Sequence, residues 1–125
     1  MTLQELYAKI GGDYEQAIRV LRMEKLMDKH IRKLTKNGVV DALLAAGETM
    51  DPTQLFETSH AVKGVCGNLG LTNLAAVATE ITEDYRPGNT RKFSDAEIKE
   101  KLQKLSELYA HTSECIRAYE EESGV

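Results

Sequence analysis

Cysteine pairs, long apolar stretches, strand-like runs and an excess of basic residues are all missing from this chain, and each absence removes a class of protein. Only Cys66 and Cys115 occur among 125 residues, with no C-x-x-C or H-x-x-x-H spacing. No zinc or iron site can begin there, and no disulfide framework is implied. No segment approaches the roughly 20 apolar residues of a membrane crossing. The leading MTLQELYAKI mixes charged and apolar residues within its first ten positions, unlike the uninterrupted apolar core of a secretory signal. A cytoplasmic setting with reduced thiols is therefore expected, and both cysteines read as small buried hydrophobes. The formal net charge of -4 argues against general nucleic-acid binding, which needs a net basic face. The Arg32-Lys33-Lys36 and Arg91-Lys92 clusters are too small to reverse that. Two prolines and no low-complexity tract accompany 42% hydrophobic and 29% charged residues, the balance of an ordinary globular chain.

What remains is helical periodicity and helix punctuation. Thr2-Leu3-Gln4-Glu5 is a capping box, and Gly11-Gly12 stops the short helix that it opens. Asp13-Tyr14-Glu15-Gln16 starts a mostly helical stretch reaching Asn37-Gly38, with a break near Met23 and with Val20, Met27, Ile31 and Leu34 on one side. Val39 to Ala46 reads as a short helix closed by Gly47. Asp51-Pro52-Thr53-Gln54 supplies an N-cap, a proline at the first helical position and a Gln at N3, opening a helix that reaches Gly70. Leu71 to Arg86 follows, ending at Pro87-Gly88. Ser94-Asp95-Ala96-Glu97 opens a last long helix, whose Ile98, Leu102, Leu105, Tyr109, Thr112, Ile116 and Tyr119 form a seam. Glu120-Glu121-Glu122 reads as its solvated, fraying end. The fold expected is all-α: an antiparallel four-helix bundle with a short helical N-terminal extension, forming one domain over residues 1–125 with a bundle core of about 23–120.

On a wheel of about 100° per residue, the helix from Asp51 gathers Leu55, Ser59, Val62, Val65, Cys66 and Leu69 on one arc. His60 lies nearly opposite, sharing its side with Lys63, Gly64 and Gly67. Residues three and four apart are neighbours on a helix, so Lys63 and Gly64 flank the imidazole on one side and Phe56 on the other. Two glycines on an exposed helix face are costly, at about 1 kcal/mol each relative to alanine. Their presence implies that something comes close to the ring. Lys63 would favour a dianionic group there. Gly67 fits either docking or close helix packing, and Phe56 either a docking rim or an inward turn at the bundle edge. His30 and His111 lie at the margins of apolar faces and read as boundary residues.

The run His60-Ala61-Val62-Lys63-Gly64-Val65-Cys66-Gly67-Asn68-Leu69-Gly70 resembles the signature of histidine-containing phosphotransfer (HPt) domains. LYAKIGGDYEQAI is similar to the helical lead-in of some stand-alone members. The resemblance implies that His60 is the phosphoacceptor, that Lys63 helps to hold the phosphoryl group, and that Gly64 gives access. It implies receiver domains of response regulators or hybrid kinases as partners, each bringing its own aspartate and magnesium. Where several members carry a glutamine that orients the histidine, this sequence has Thr82; Thr82 or its neighbour Glu83 can take that part. No Gly-rich nucleotide loop or kinase signature is present. The expectation is a monomeric phosphocarrier, not an enzyme, with no cofactor of its own, no nucleic acid and no membrane. A non-phosphorylated helical adaptor for a receiver or kinase domain remains the alternative. The initiating Met and the polar Glu-Ser-Gly-Val end favour the expectation of a free-standing protein, with a piece of a longer hybrid kinase as the alternative.

Overall fold

In the computed structural model, which describes residues 1–122, every regular element is an α-helix: α1 (Leu3–Ile10), α2 (Tyr14–Leu21), α3 (Glu24–Leu34), α4 (Val39–Thr49), α5 (Pro52–Asn68), α6 (Thr72–Tyr85) and α7 (Asp95–Glu122). The caps form where the sequence puts them. Thr2 and Glu5 complete their capping box, Asp13 accepts from the Gln16 amide, and Asp51 accepts from the Gln54 amide behind Pro52. Ser94 and Glu97 bond each other's amides at the start of α7. Each of these side chains satisfies backbone donors that the first helical turn leaves free.

Helix α5 packs on α4 and α6, and α7 closes the ring by contacting both α6 and α4. Short connections between consecutive members make them run in opposite directions, giving the four-helix bundle. Leu43, Leu55, Val62, Ile81, Ile98, Leu105 and Ile116 are fully buried between them. The N-terminal helices cover one end and side: α1 lies on α7, α2 on α5 and α3 on α7. Their corner also caps α5. The Tyr7 hydroxyl donates to the Leu69 carbonyl at 2.7 Å, the Asp13 amide to Gly70 at 2.7 Å, and the Gln16 amide side chain to Gly67 at 3.2 Å. The first two occupy carbonyls just past the end of α5 that the helix itself cannot pair, and the third adds to the Gly67 carbonyl, which also accepts from the Gly70 amide at 3.1 Å.

Three details differ from the sequence reading, and a fourth is borne out and made more specific. Val20 is not on the buried side; it is 48% exposed, and Ala17 takes the buried place on α2. The break near Met23 is real, but the left-handed residue is Arg22, at φ 75. Gly47 does not close α4, which continues to Thr49 and stops at left-handed Met50. Gly47 instead admits Leu102, whose Cδ1 would lie 2.6 Å from an added Cβ. Finally, the acidic end of α7 is not wholly solvated: Glu120 is half-buried and pairs with Lys36 at 3.2 Å and with Arg32 at 3.9 Å.

Candidate functional site: an exposed histidine on α5

The wheel drawn from the sequence is the wheel that the fold uses. Leu55, Ser59, Val62, Cys66 and Leu69 are buried, Val65 is half-buried, and His60 is exposed on the opposite side. Gly64 is exposed and Gly67 half-exposed, and a Cβ at either would meet nothing within 4 Å. The packing alternative for Gly67 therefore lacks a neighbour to pack against, although its carbonyl serves the Gln16 bond. Beside His60, α5 presents a bare strip of backbone.

Among the described residues His60 has no hydrogen-bond partner; what touches it is Phe56, with ring centroids 5.7 Å apart and planes tilted by 52°. Phe56 itself is half-buried, and the Arg86 guanidinium lies over its ring at 5.5 Å from the centroid. It stands between the two readings, partly turned in and partly open, as a wedge between α5 and the end of α6.

Thr82 does not orient the imidazole here. It shares the core side of α6 with Ala78, Ile81 and Tyr85, and is itself fully buried. Its hydroxyl is directed to the Ser59 hydroxyl at 2.9 Å and the Ala78 carbonyl at 2.8 Å. Serine precedes histidine on α5, so Thr82 reaches the inward-facing neighbour of His60 and not His60 itself. One helical step further on, Glu83 emerges at the side of the bundle. Its carboxylate takes Lys63 Nζ at 3.5 Å and the Arg86 fork at 2.9 and 3.0 Å. The Arg86 hydrogen bonds, with a smaller part from Lys63, pull the Glu83 carboxyl down from 4.5 to about 2. Glu83 is therefore ionised at neutral pH.

Sequence reasoning missed Arg86 altogether. Its only signal was a cation at the end of a helix, which ordinarily complements the helix dipole. The other histidines lie apart from this cluster. His30 is exposed, and exposed His111 places Nε2 3.0 Å from the Lys9 carbonyl and 3.8 Å from Cys115 Sγ. Cys66 is buried as expected, whereas Cys115 is half-buried. No group of three or more His, Cys, Asp or Glu residues is placed to hold a metal ion among the described residues. No helix among them is long and apolar enough to cross a membrane.

Comparison with known proteins agrees with this arrangement at the level of the family. No curated protein and no solved structure matches the chain. The family model described as Hpt domain matches residues 15–108, from the start of α2 into the middle of α7, and so includes His60, Lys63, Glu83 and Arg86. Hpt domains are phosphocarriers of two-component signalling that interact with receiver domains. With well over half its length matched, the chain belongs to the Hpt domain family.

Proposed function

We propose that this protein relays a phosphoryl group between receiver-domain aspartates through His60, with the described residues acting as one unit. The observation that carries the reading is the exposed imidazole beside the open backbone of Gly64, on a helix whose other face packs into the core. In the first step a neutral ring nitrogen attacks the phosphorus of an aspartyl phosphate. The P–N bond forms, the P–O bond to the carboxylate breaks, and the ring proton leaves to solvent. The second step is the same exchange in reverse, onto another aspartate. No ATP is consumed in either. Lys63 lies one turn from His60, where its ammonium can meet a phosphoryl oxygen. Gly64, Gly67 and Phe56 form the surface that a receiver must approach, and the receiver supplies its own aspartate and magnesium. The reading places the protein in the cytoplasm, as a monomer without a resident cofactor.

Incubation with a phosphorylated receiver, followed by intact-mass measurement, tests this. The expected result is a gain of one phosphoryl group that is lost in mild acid, survives alkali, and is absent in His60→Gln. An acid-stable adduct, or one retained in that variant, would overturn the assignment of the site. Binding of the receiver without transfer would instead make the protein an adaptor.

A further inference from the structure

Two cations beside His60 converge on one carboxylate, and they are not held equally. Arg86 grips Glu83 through a fork, with Nε on Oε2 at 2.9 Å and Nη2 on Oε1 at 3.0 Å. Lys63 reaches the same Oε1 at 3.5 Å, the far edge of hydrogen-bonding distance. Bidentate charge-assisted pairs are the stronger kind, so Lys63 is the partner that Glu83 can release. The Lys63 and Glu83 side chains are 36% and 45% exposed, and separating a solvated pair of this sort costs little. Arg86 has a second hold, over the Phe56 ring, and Phe56 lies against His60. Both flanks of the imidazole are thus tied to Glu83, one through Lys63 and the other through Arg86 and Phe56.

We propose that Glu83 is a positioning residue: it holds Lys63 as a counter-ion in the resting protein and yields it to the phosphoryl group on His60. The inference rests on the phosphocarrier reading above. In the resting state Lys63, Arg86 and Glu83 sum to one positive charge beside the ring. A phosphoryl group brings close to two negative charges. That dianion draws Lys63 away, and the carboxylate left behind repels it. Glu83 therefore favours the free histidine over the phosphohistidine, which keeps the phosphoryl group ready to leave for the next aspartate. Arg86 retains Glu83 throughout, so the carboxylate stays beside the site and the exchange is reversible.

The test uses the full chain with phosphoramidate as a small donor. The P–N bond of phosphoramidate breaks, a P–N bond to His60 forms, and the ring proton leaves with ammonia. The ratio of phosphorylated to free protein is read by intact mass at fixed phosphoramidate and ammonium concentrations. Glu83→Gln should raise that ratio roughly three- to tenfold, as expected for removing one partly screened negative charge near a dianion. Lys63→Ala should lower it. In the Lys63→Ala background, Glu83→Gln should give a clearly smaller rise, because the exchange has lost one of its partners. Glu80→Gln, one turn back on α6 and paired with Lys101 at 2.6 Å, should leave the ratio unchanged. The melting temperature of each variant should remain near that of wild type. A Glu83→Gln ratio equal to wild type, or an equal rise with and without Lys63, overturns the exchange. If wild type gains no phosphoryl group on His60 from phosphoramidate or from a receiver, the phosphocarrier reading itself fails.

Discussion

Three glycines in one eleven-residue stretch serve two different ends, and the difference lies in what a methyl group would meet. At Gly64 and Gly67 an added Cβ meets nothing within 4 Å, whereas at Gly70 it would strike the carbonyl oxygen of Asp13, in a backbone held at φ +69. Gly64→Ala should therefore stabilise the fold by up to about 1 kcal/mol, the ordinary gain in helix propensity. Gly64→Gln should also fold, yet slow transfer from a phosphorylated receiver by crowding the ring of His60. Gly70→Ala should cost at least about 2 kcal/mol, from the left-handed backbone and the displaced contact with α2. Thermal melts beside transfer rates separate these cases. A Gly64→Gln protein that melts much earlier than wild type would mean that this position packs, and one that transfers at the wild-type rate would mean that access does not require glycine.

At the scale of elements, the connection between α6 and α7 hangs on a residue that the sequence did not single out. Asp84 is 5% exposed and accepts from the Lys92 amide at 2.6 Å, the Phe93 amide at 3.3 Å and Arg91 Nε at 3.0 Å. Burial pushes its carboxyl up, but the two amides and Arg91 outweigh burial and hold it below its ordinary value. The stability from that shift is complete above the unfolded value of about 3.9 and is lost as pH falls through the lower folded one. Asp84→Ala should lower stability by about 2 to 4 kcal/mol at pH 7, since it strands two amides and removes the Nε partner of Arg91. The gap between the two proteins should narrow below pH 4, and urea melts at pH 7 and pH 3 measure it. An unchanged gap would mean that the carboxylate's charge does not support the turn.

Asp84 also marks where sequence reading reaches its limit. The caps at Thr2, Asp13, Asp51 and Ser94 act within four residues, so each start was legible without knowing the fold. His60, Lys63, Gly64 and Gly67 share one helix, and periodicity alone puts them on one face. Gly47 resembles a helix stop until Leu102 arrives from α7, and Val20 resembles a core residue until Ala17 is seen to fill the place against the bundle. Thr82 and Glu83 are adjacent in sequence, and only the rotation of α6 against α5 decides that the first meets Ser59 and the second Lys63. Local rules carry no information about that rotation.

The whole molecule has one task at this site, which is to keep α5 docked so that a bare histidine face stays turned outward, and Cys66 reports on that docking. It lies on the face of α5 opposite His60, fully buried, and burial pushes its thiol up from 9.0 to about 12. A thiol reagent needs the thiolate and access to it, and the folded protein denies Cys66 both. Cys115, half-buried on α7, should therefore react first under native conditions at pH 8. Cys66 should be modified only when α5 lifts from its neighbours, at a rate below that of the unfolded chain by roughly 10³ or more, as the stability of an ordinary domain implies. Because Gly64→Ala strengthens the same helix from its exposed side, it should slow Cys66 labelling further, by up to about fivefold. His60→Gln, which changes an exposed side chain and its contact with Phe56 but nothing in the core, should leave the rate as it is. Mass spectrometry of the labelled peptides follows both cysteines in one experiment. Modification of Cys66 as fast as Cys115 would show α5 opening freely, and the contrast between its packed and bare faces could no longer explain how His60 is presented.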